Sequence, residues 1–306
     1  LAGTVLTLQH DPFDNRVLYA GTYFGGLYKS TDSGLTWSQL VLPSRQFLVY
    51  TVAPDSRNRG VIYIGTFDAG VYKSLDGGRT WTAKNQGLTD TTVQALAIDP
   101  FDANIVLAAT DAGVFKSVTA GASWLPPDRS LQFPVSALAF DTARRGIVYV
   151  GTSGKGVWRS TDSGTTWGAF TTGLGNTAVL SLNRDKVTGK LYAVASQGVF
   201  RLSPNTTTWE DISHNLPDTP VHYVLPHPMS GDLFVAADAG IFKSVRGTDI
   251  TGWSLVTTVP TRVLAVNDAG TILHAAALAA RLLVTFDAGR TGVSAEEGLH
   301  NVFVGA

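Results

Sequence analysis

One eight-residue pattern recurs along this chain at nearly constant spacing, and it restricts the fold more than any other feature. Ser30-Thr-Asp32-Ser-Gly34-Leu-Thr36-Trp37 returns as Ser74-Leu-Asp76-Gly-Gly78-Arg-Thr80-Trp81 and as Ser160-Thr-Asp162-Ser-Gly164-Thr-Thr166-Trp167. Weaker copies end at Trp124, Trp209 and Trp253, and a further copy around Asp287 and Gly289 has lost its tryptophan. Successive tryptophans lie 44, 43, 43, 42 and 44 residues apart. Repeats of roughly 40–45 residues mark propeller blades, small sheets that bury their faces only against one another.

The rest of each unit fits this reading. Val93-Gln-Ala-Leu-Ala-Ile-Asp99, Ile105-Val-Leu-Ala-Ala-Thr110 and Val114-Phe-Lys-Ser117 are short runs rich in β-branched and aromatic residues, bounded by Gly, Asp and Pro. Many runs are apolar on both faces, as sheets sandwiched between neighbouring sheets require. The expected fold is all-β: one seven-bladed β-propeller, four antiparallel strands per blade, with the recurrent box at the hairpin between the third and fourth strands. Blades are expected at about 4–42, 46–88, 91–129, 133–174, 177–216, 219–259 and 261–297, with 298–306 as an extra C-terminal strand or cap. In each box the Asp carboxylate can hold the turn by accepting backbone N–H bonds, and Gly supplies a backbone angle that other residues resist. The tryptophan fills space between blades, where its N–H needs a partner. Asp32, Gly34, Trp37, Asp76, Gly78, Trp81, Trp124, Asp162, Gly164, Trp167, Trp209, Trp253, Asp287 and Gly289 are therefore read as structural. The same residues repeat in every unit, whereas a reactive site is local and asymmetric.

On these boxes the chain resembles the Asp-box, or BNR-repeat, propellers, a group that includes sialidases, xyloglucanases, sortilin-type receptor domains and the extracytoplasmic propellers that help photosystems assemble. The strict boxes at Asp32, Asp76 and Asp162 are specific for the repeat and not for an activity. The resemblance implies that the turns between second and third strands share one face with the inter-blade loops, and that the enzymes of the group carry their sites there.

That face would present Tyr23, Phe24, Phe67, Asp68, Asp111, Lys155, Gln197 and Asp238, with Arg45, Phe133, His222 and Arg262 from inter-blade loops. A sialidase needs an arginine cluster, a tyrosine nucleophile and an acid/base carboxylate. Here Arg45 and Arg262 do not make a triad, and the three glutamates (Glu210, Glu296 and Glu297) are poorly placed. A xyloglucanase pairs two propellers around a cleft; Asp68, Asp111 and Asp238 each precede Ala-Gly in a turn, where Asp is a common structural choice. No cysteine exists and the histidines are scattered, so no metal centre, cofactor or catalytic residue is expected. A net charge of −1 gives no field toward nucleic acid, and no apolar run is long enough to span a membrane.

Two surfaces remain as candidates for binding. Loops between first and second strands carry Arg57 and Arg59, Arg144 and Arg145, and Arg184, Lys186 and Lys190, a basic patch suited to an acidic protein or lipid surface. Tyr23, Phe24, Phe67 and Phe133 would give the other face apolar anchors. The expected function is a non-catalytic scaffold that binds and stabilises a larger protein complex, peripheral to a membrane and outside the cytoplasm, as the photosystem-assembly resemblance implies. A glycan-binding or glycan-cleaving propeller and a receptor-type peptide binder are the alternatives.

Overall fold

The computed structural model describes residues 3–43, 48–246, 249–267, 269–277, 282–285 and 300–302. Among them the chain builds antiparallel sheets in strict sequence order, each strand pairing with the one before it. The innermost strands are Val5–Asp11, Val49–Pro54, Val93–Asp99, Val135–Phe140, Val179–Arg184, Val221–Pro226 and Thr261–Val266. Each packs on the next, and the last packs on the first, so the sheets surround a common axis.

The second strands explain the packing. Ile62–Thr66, Val148–Thr152, Leu191–Ala195, Leu233–Ala237 and Leu273–Ala277 are buried at every residue, on both faces. Their apolar side chains enter clusters that lie between successive sheets: Tyr149, Val157 and Leu174 pack on Val179, Leu191 and Phe200, for instance. Val5, Leu8, Leu18 and Ala20 of the first sheet meet Val263, Ala265 and Ala276 of the last, and this packing closes the ring. Close to the axis there is no space for a side chain on the second strand. A Cβ on Gly65 would stand 2.6 Å from Thr51 Cγ2 and from Val93 Cγ1, and one on Gly151 would stand 2.6 Å from Val179 Cγ1.

The expectation of a seven-bladed propeller with four strands in every blade is corrected by this architecture, which holds six such blades among the described residues. Six sheets are complete, with four strands each, and the third unit stops at three. The reason lies in Leu125-Pro126-Pro127. In four other units the residue three after the box tryptophan donates its N–H back to the third strand: Leu40 to Leu27 O at 2.8 Å, Lys84 to Val71 O at 2.8 Å, Phe170 to Val157 O at 2.8 Å and Ile212 to Val199 O at 2.9 Å. Pro127 occupies that position and has no N–H to give. Only a single bridge, Lys116 to Leu125, remains of the outer strand.

The boxes form tight hairpins on the outer rim. In the second unit Asp76 accepts from the Ser74 hydroxyl at 2.8 Å, from the Arg79 and Thr80 N–H groups at 2.9 Å each, and from the Thr80 hydroxyl at 2.6 Å. Those donors, the Thr80 hydroxyl foremost, hold the carboxyl far below its ordinary range. Trp37 and Trp81 donate to the carbonyl of their own box glycine, whereas Trp209 and Trp253 reach the preceding sheet, at Phe170 O (2.9 Å) and Ile212 O (2.8 Å). The indole N–H of Trp167 is buried without a partner. In the first three units the cation that precedes the box serine also bridges sheets. Lys29 donates to Gly77 O at 2.9 Å, Lys73 to Ala120 O at 3.2 Å, and Lys116 to Asp162 O at 3.1 Å. Asp287 and Gly289 lie outside the described residues. His300–Val302 pairs with Leu282–Thr285 as the outermost strand of the last sheet.

Candidate functional site

Every innermost strand begins with an irregularity in its pairing to the second strand. The register slips between Val5 and Thr7, Val49 and Thr51, Val135 and Ala137, Val179 and Ser181, Val221 and Tyr223, and Thr261 and Val263, and in the third sheet between Val93 and Ala95, opposite Thr110 and Ala109. Such a bulge leaves one residue unpaired and redirects its side chain. The residues released in this way are Leu6, Tyr50, Gln94, Ser136, Leu180, His222 and Arg262. All of them line one axial cavity of about 540 Å³, at the end of the channel where the inner strands start, and the cavity runs on along those strands to Pro54 and Asn183. One repeated backbone device thus collects one side chain from each unit around a single opening, six residue types in seven positions, which makes this rim asymmetric in chemistry while the scaffold is repetitive.

The turns between second and third strands surround the opening. Gln94 Nε2 donates to Asp111 Oδ1 at 2.8 Å, and His222 Nε2 lies 2.7 Å from Asp238 Oδ1. Two of the carboxylates considered for glycan cleavage therefore bond to side chains of the inner rim; Asp68 is exposed on its turn. Tyr50 packs edge-on against Phe67, ring centroids 5.8 Å apart. Burial, with Tyr23 and Asp111 nearby, pushes the Tyr50 hydroxyl above its ordinary value, and Arg262 opposes the rise. Phe24 is 70% exposed, Leu180 48%, Phe67 45% and Tyr23 42%. Phe24 also holds φ at +65°, a region bulky residues rarely occupy, and its ring stands edge-on to Tyr23 at 4.3 Å. Farther out, Lys155 Nζ lies 4.5 Å over the ring of Phe133, which packs against Trp158. Beside the mouth a second depression of about 540 Å³ shares Leu180 and is floored by Leu216, Pro217 and Pro220.

Tyr23, Phe24 and Phe67 lie on turns between second and third strands and Phe133 on an inter-blade loop, at the end of the sheets where the inner strands start. Tyr50, Gln94, Ser136 and Leu180 were missed. Their signal is a fixed place in the repeat, one residue after the valine that opens the inner strand; an alternation pattern cannot reveal it, because the bulge breaks the alternation. Arg45 lies outside the described residues.

The basic residues stand on the opposite face and are largely engaged. Arg57 donates to Pro100 O at 3.2 Å in the next unit, and Arg59 to Phe13 O at 3.2 Å in the preceding one. Arg145 reaches Phe101 O at 3.4 Å, while Arg144 and Arg184 share the buried Asp141. Lys186 is exposed, and Lys190 half-buried. These loops interlock neighbouring units rather than forming one free cationic patch. Among the described residues no group of three or more His, Asp or Glu is placed to hold a metal ion, and no helix is long and apolar enough to cross a membrane.

Asp-box hairpins on the rim of consecutive sheets, surrounding an axial channel, define a β-propeller of the BNR-repeat type. Within that class the chain belongs to the family described as photosynthesis system II assembly factor YCF48, which matches residues 28–292. No curated protein matches it. Among solved structures it superposes on the GH74 xyloglucanase from Xanthomonas campestris with a TM-score of 0.81 at 16% identity, covering 98% of this chain and 54% of that one. The Niastella koreensis GH74 enzyme gives 0.81 at 18% identity, covering 94% and 53%. The chain therefore spans about half the length of these enzymes, and at such identities the likeness is one of fold. A structure described as YCF48 bound to D1 peptide is 20% identical with a TM-score of 0.49, covering 94% and 81%.

Proposed function

We propose that this propeller is a docking subunit that stabilises a protein complex during assembly, and that it grips its partner at the channel mouth. Membership of an assembly-factor family supports the general role. The observation that carries the specific reading is the set of exposed residues Phe24, Phe67, Tyr23 and Leu180 on the face where the axial cavity opens, with Gln94, Ser136, His222 and Arg262 on its inner rim. Exposed aromatic residues beside hydrogen-bonding groups are the composition of a protein interface, and the neighbouring depression at Leu180 extends the surface enough for a chain segment rather than a small molecule. In this reading the partner belongs to a membrane-associated complex of photosynthetic type, which the family description supports, and the propeller works outside the cytoplasm.

The test is capture of solubilised complexes from the source organism on the immobilised chain, comparing the wild type with a Phe24→Asp/Phe67→Asp variant. A discrete complex should be retained by the wild type and reduced about tenfold or more by the variant, the usual consequence of truncating two anchors. Release of reducing sugar from xyloglucan or sialosides by the purified chain, abolished by Asp238→Asn, would replace this reading with a glycosidase.

A further inference from the structure

A second, smaller cavity lies on the opposite face, between the fourth and fifth sheets. It measures about 130 Å³ and is lined by Arg144, Arg159 and Arg184 with Tyr149, and by the hairpin residues Asn205, Thr206 and Thr207. No carboxylate lines it. The side chain of Arg184 is only 7% exposed, and its guanidinium pairs with Asp141. Asp141 also accepts from Arg144 Nε at 2.7 Å and from the Ala143 and Arg144 N–H groups at 2.9 and 2.8 Å. One carboxylate is thus divided between two guanidinium groups. Arg159 has none: it lies over the rings of Tyr149 and Phe170 at 5.9 and 5.4 Å. The Nε atoms of Arg159 and Arg184 are both buried without a hydrogen-bond partner. Three arginines and a single acid leave the cavity with an excess of two positive charges.

The repeat shows why this is unusual. Arg159 holds the place that Lys29, Lys73 and Lys116 hold in earlier units, where the cation is capped by a carbonyl of the next box. In the fifth unit Arg201 is capped by Asp249 and Glu210. The hairpin that Arg159 faces is the degenerate one, Ser203-Pro-Asn-Thr-Thr207, which lacks the box aspartate. Arg159 thus keeps the place of the cation but lies over Tyr149 and Phe170 where its counterparts meet a carbonyl, and its Nε is buried without a partner. The fold adds Arg184, most of whose side chain is out of water and which shares its one carboxylate, Asp141, with Arg144.

We propose that this cavity binds a tetrahedral oxyanion: phosphate, or the phosphoryl group of a small phosphomonoester. An excess of two charges matches a dianion. The guanidinium forks together with the hydroxyl and amide groups of the hairpin offer more donors than the two oxygens of a carboxylate can use. The site is separate from the channel mouth and does not depend on the docking role.

Isothermal titration of the intact chain with inorganic phosphate, at fixed ionic strength, tests this directly. Phosphate should bind at one site per chain, with acetate at least about tenfold weaker. Arg159→Gln should lower phosphate affinity about tenfold, the loss expected for a charge-assisted contact. Thr207→Glu, at an exposed hairpin position that leaves folding intact, should abolish binding by placing a negative charge at the opening. Competition by glycerol phosphate assigns a phosphomonoester, and its failure to compete assigns the free ion; either upholds the site. Equal binding of phosphate and acetate overturns the proposal, as does unchanged phosphate affinity in the Thr207→Glu chain.

Discussion

His274 sits at the seam between the last and first sheets, its Nε2 2.9 Å from the Ser33 carbonyl and its ring 5.0 Å from that of His10. Burial drives its pKa from 6.5 down to about 4; the bond to Ser33 opposes the shift and His10 adds to it. Between those values the unfolded chain takes up a proton that the folded chain does not. Stability should therefore fall as pH drops from 6.5, with the loss complete below about 4 and amounting to ~3 kcal/mol. Urea midpoints measured across this window should slope in the wild type and flatten in His274→Gln. Asp162 behaves oppositely in origin. Burial raises its pKa, but the Thr166 hydroxyl and N–H and the Ser160 hydroxyl outweigh that and bring it to about 2. Its stabilisation is present above about 4 and is lost as pH falls toward 2. Asp162→Ala should cost about 1–2 kcal/mol at neutral pH by leaving the box donors without an acceptor, as a denaturant titration would show. The box was legible in the sequence to this depth, since spacing and residue type dictate the turn. The placement of His274 was not, because ring closure brings together residues more than 200 positions apart.

Elements show where sequence reasoning succeeds and where it stops. The second strands were legible because a run such as Val148-Tyr-Val-Gly-Thr152 is apolar on both faces and can only lie between other sheets. Gly151→Ala should test how close that approach is. Its new methyl would collide with Val179, and thermal unfolding should report a loss of about 1–3 kcal/mol, as overpacking does. The uniform four-stranded blade did not survive in the third unit. Pro126 and Pro127 stood in plain view, but a period of 43 residues argued for a copy of the neighbouring hairpins, and the missing donor outweighed it. In a Pro126→Thr/Pro127→Val variant the outer strand should extend, and hydrogen exchange should find a newly protected amide at position 127. If both amides exchange as fast as an exposed loop, the prolines are not what truncates that sheet. The bulges that open the inner strands escaped notice for a different reason: a displaced residue leaves no trace in hydrophobic periodicity.

At the scale of the whole molecule, repetition and asymmetry divide the work. The boxes, the bridging cations and the buried second strands recur and build the ring. The bulged residues differ from unit to unit and collect Tyr50, Gln94, Leu180, His222 and Arg262 around one opening. The aromatic face was legible in outline, since Tyr23, Phe24 and Phe67 occupy turns of known direction. The basic loops, equally prominent in the sequence, turn out to reach carbonyls of neighbouring units or the buried Asp141. Charge alone cannot distinguish a free cation from one that ties two blades together. The decisive comparison is site-specific photo-cross-linking in the source organism, with the reactive group placed at Phe67 on the mouth or at Leu75, which is 70% exposed on a box hairpin. A discrete protein adduct from position 67 and none from position 75 is the predicted result. An adduct from position 75 with none from position 67 would contradict a partner held at the channel mouth.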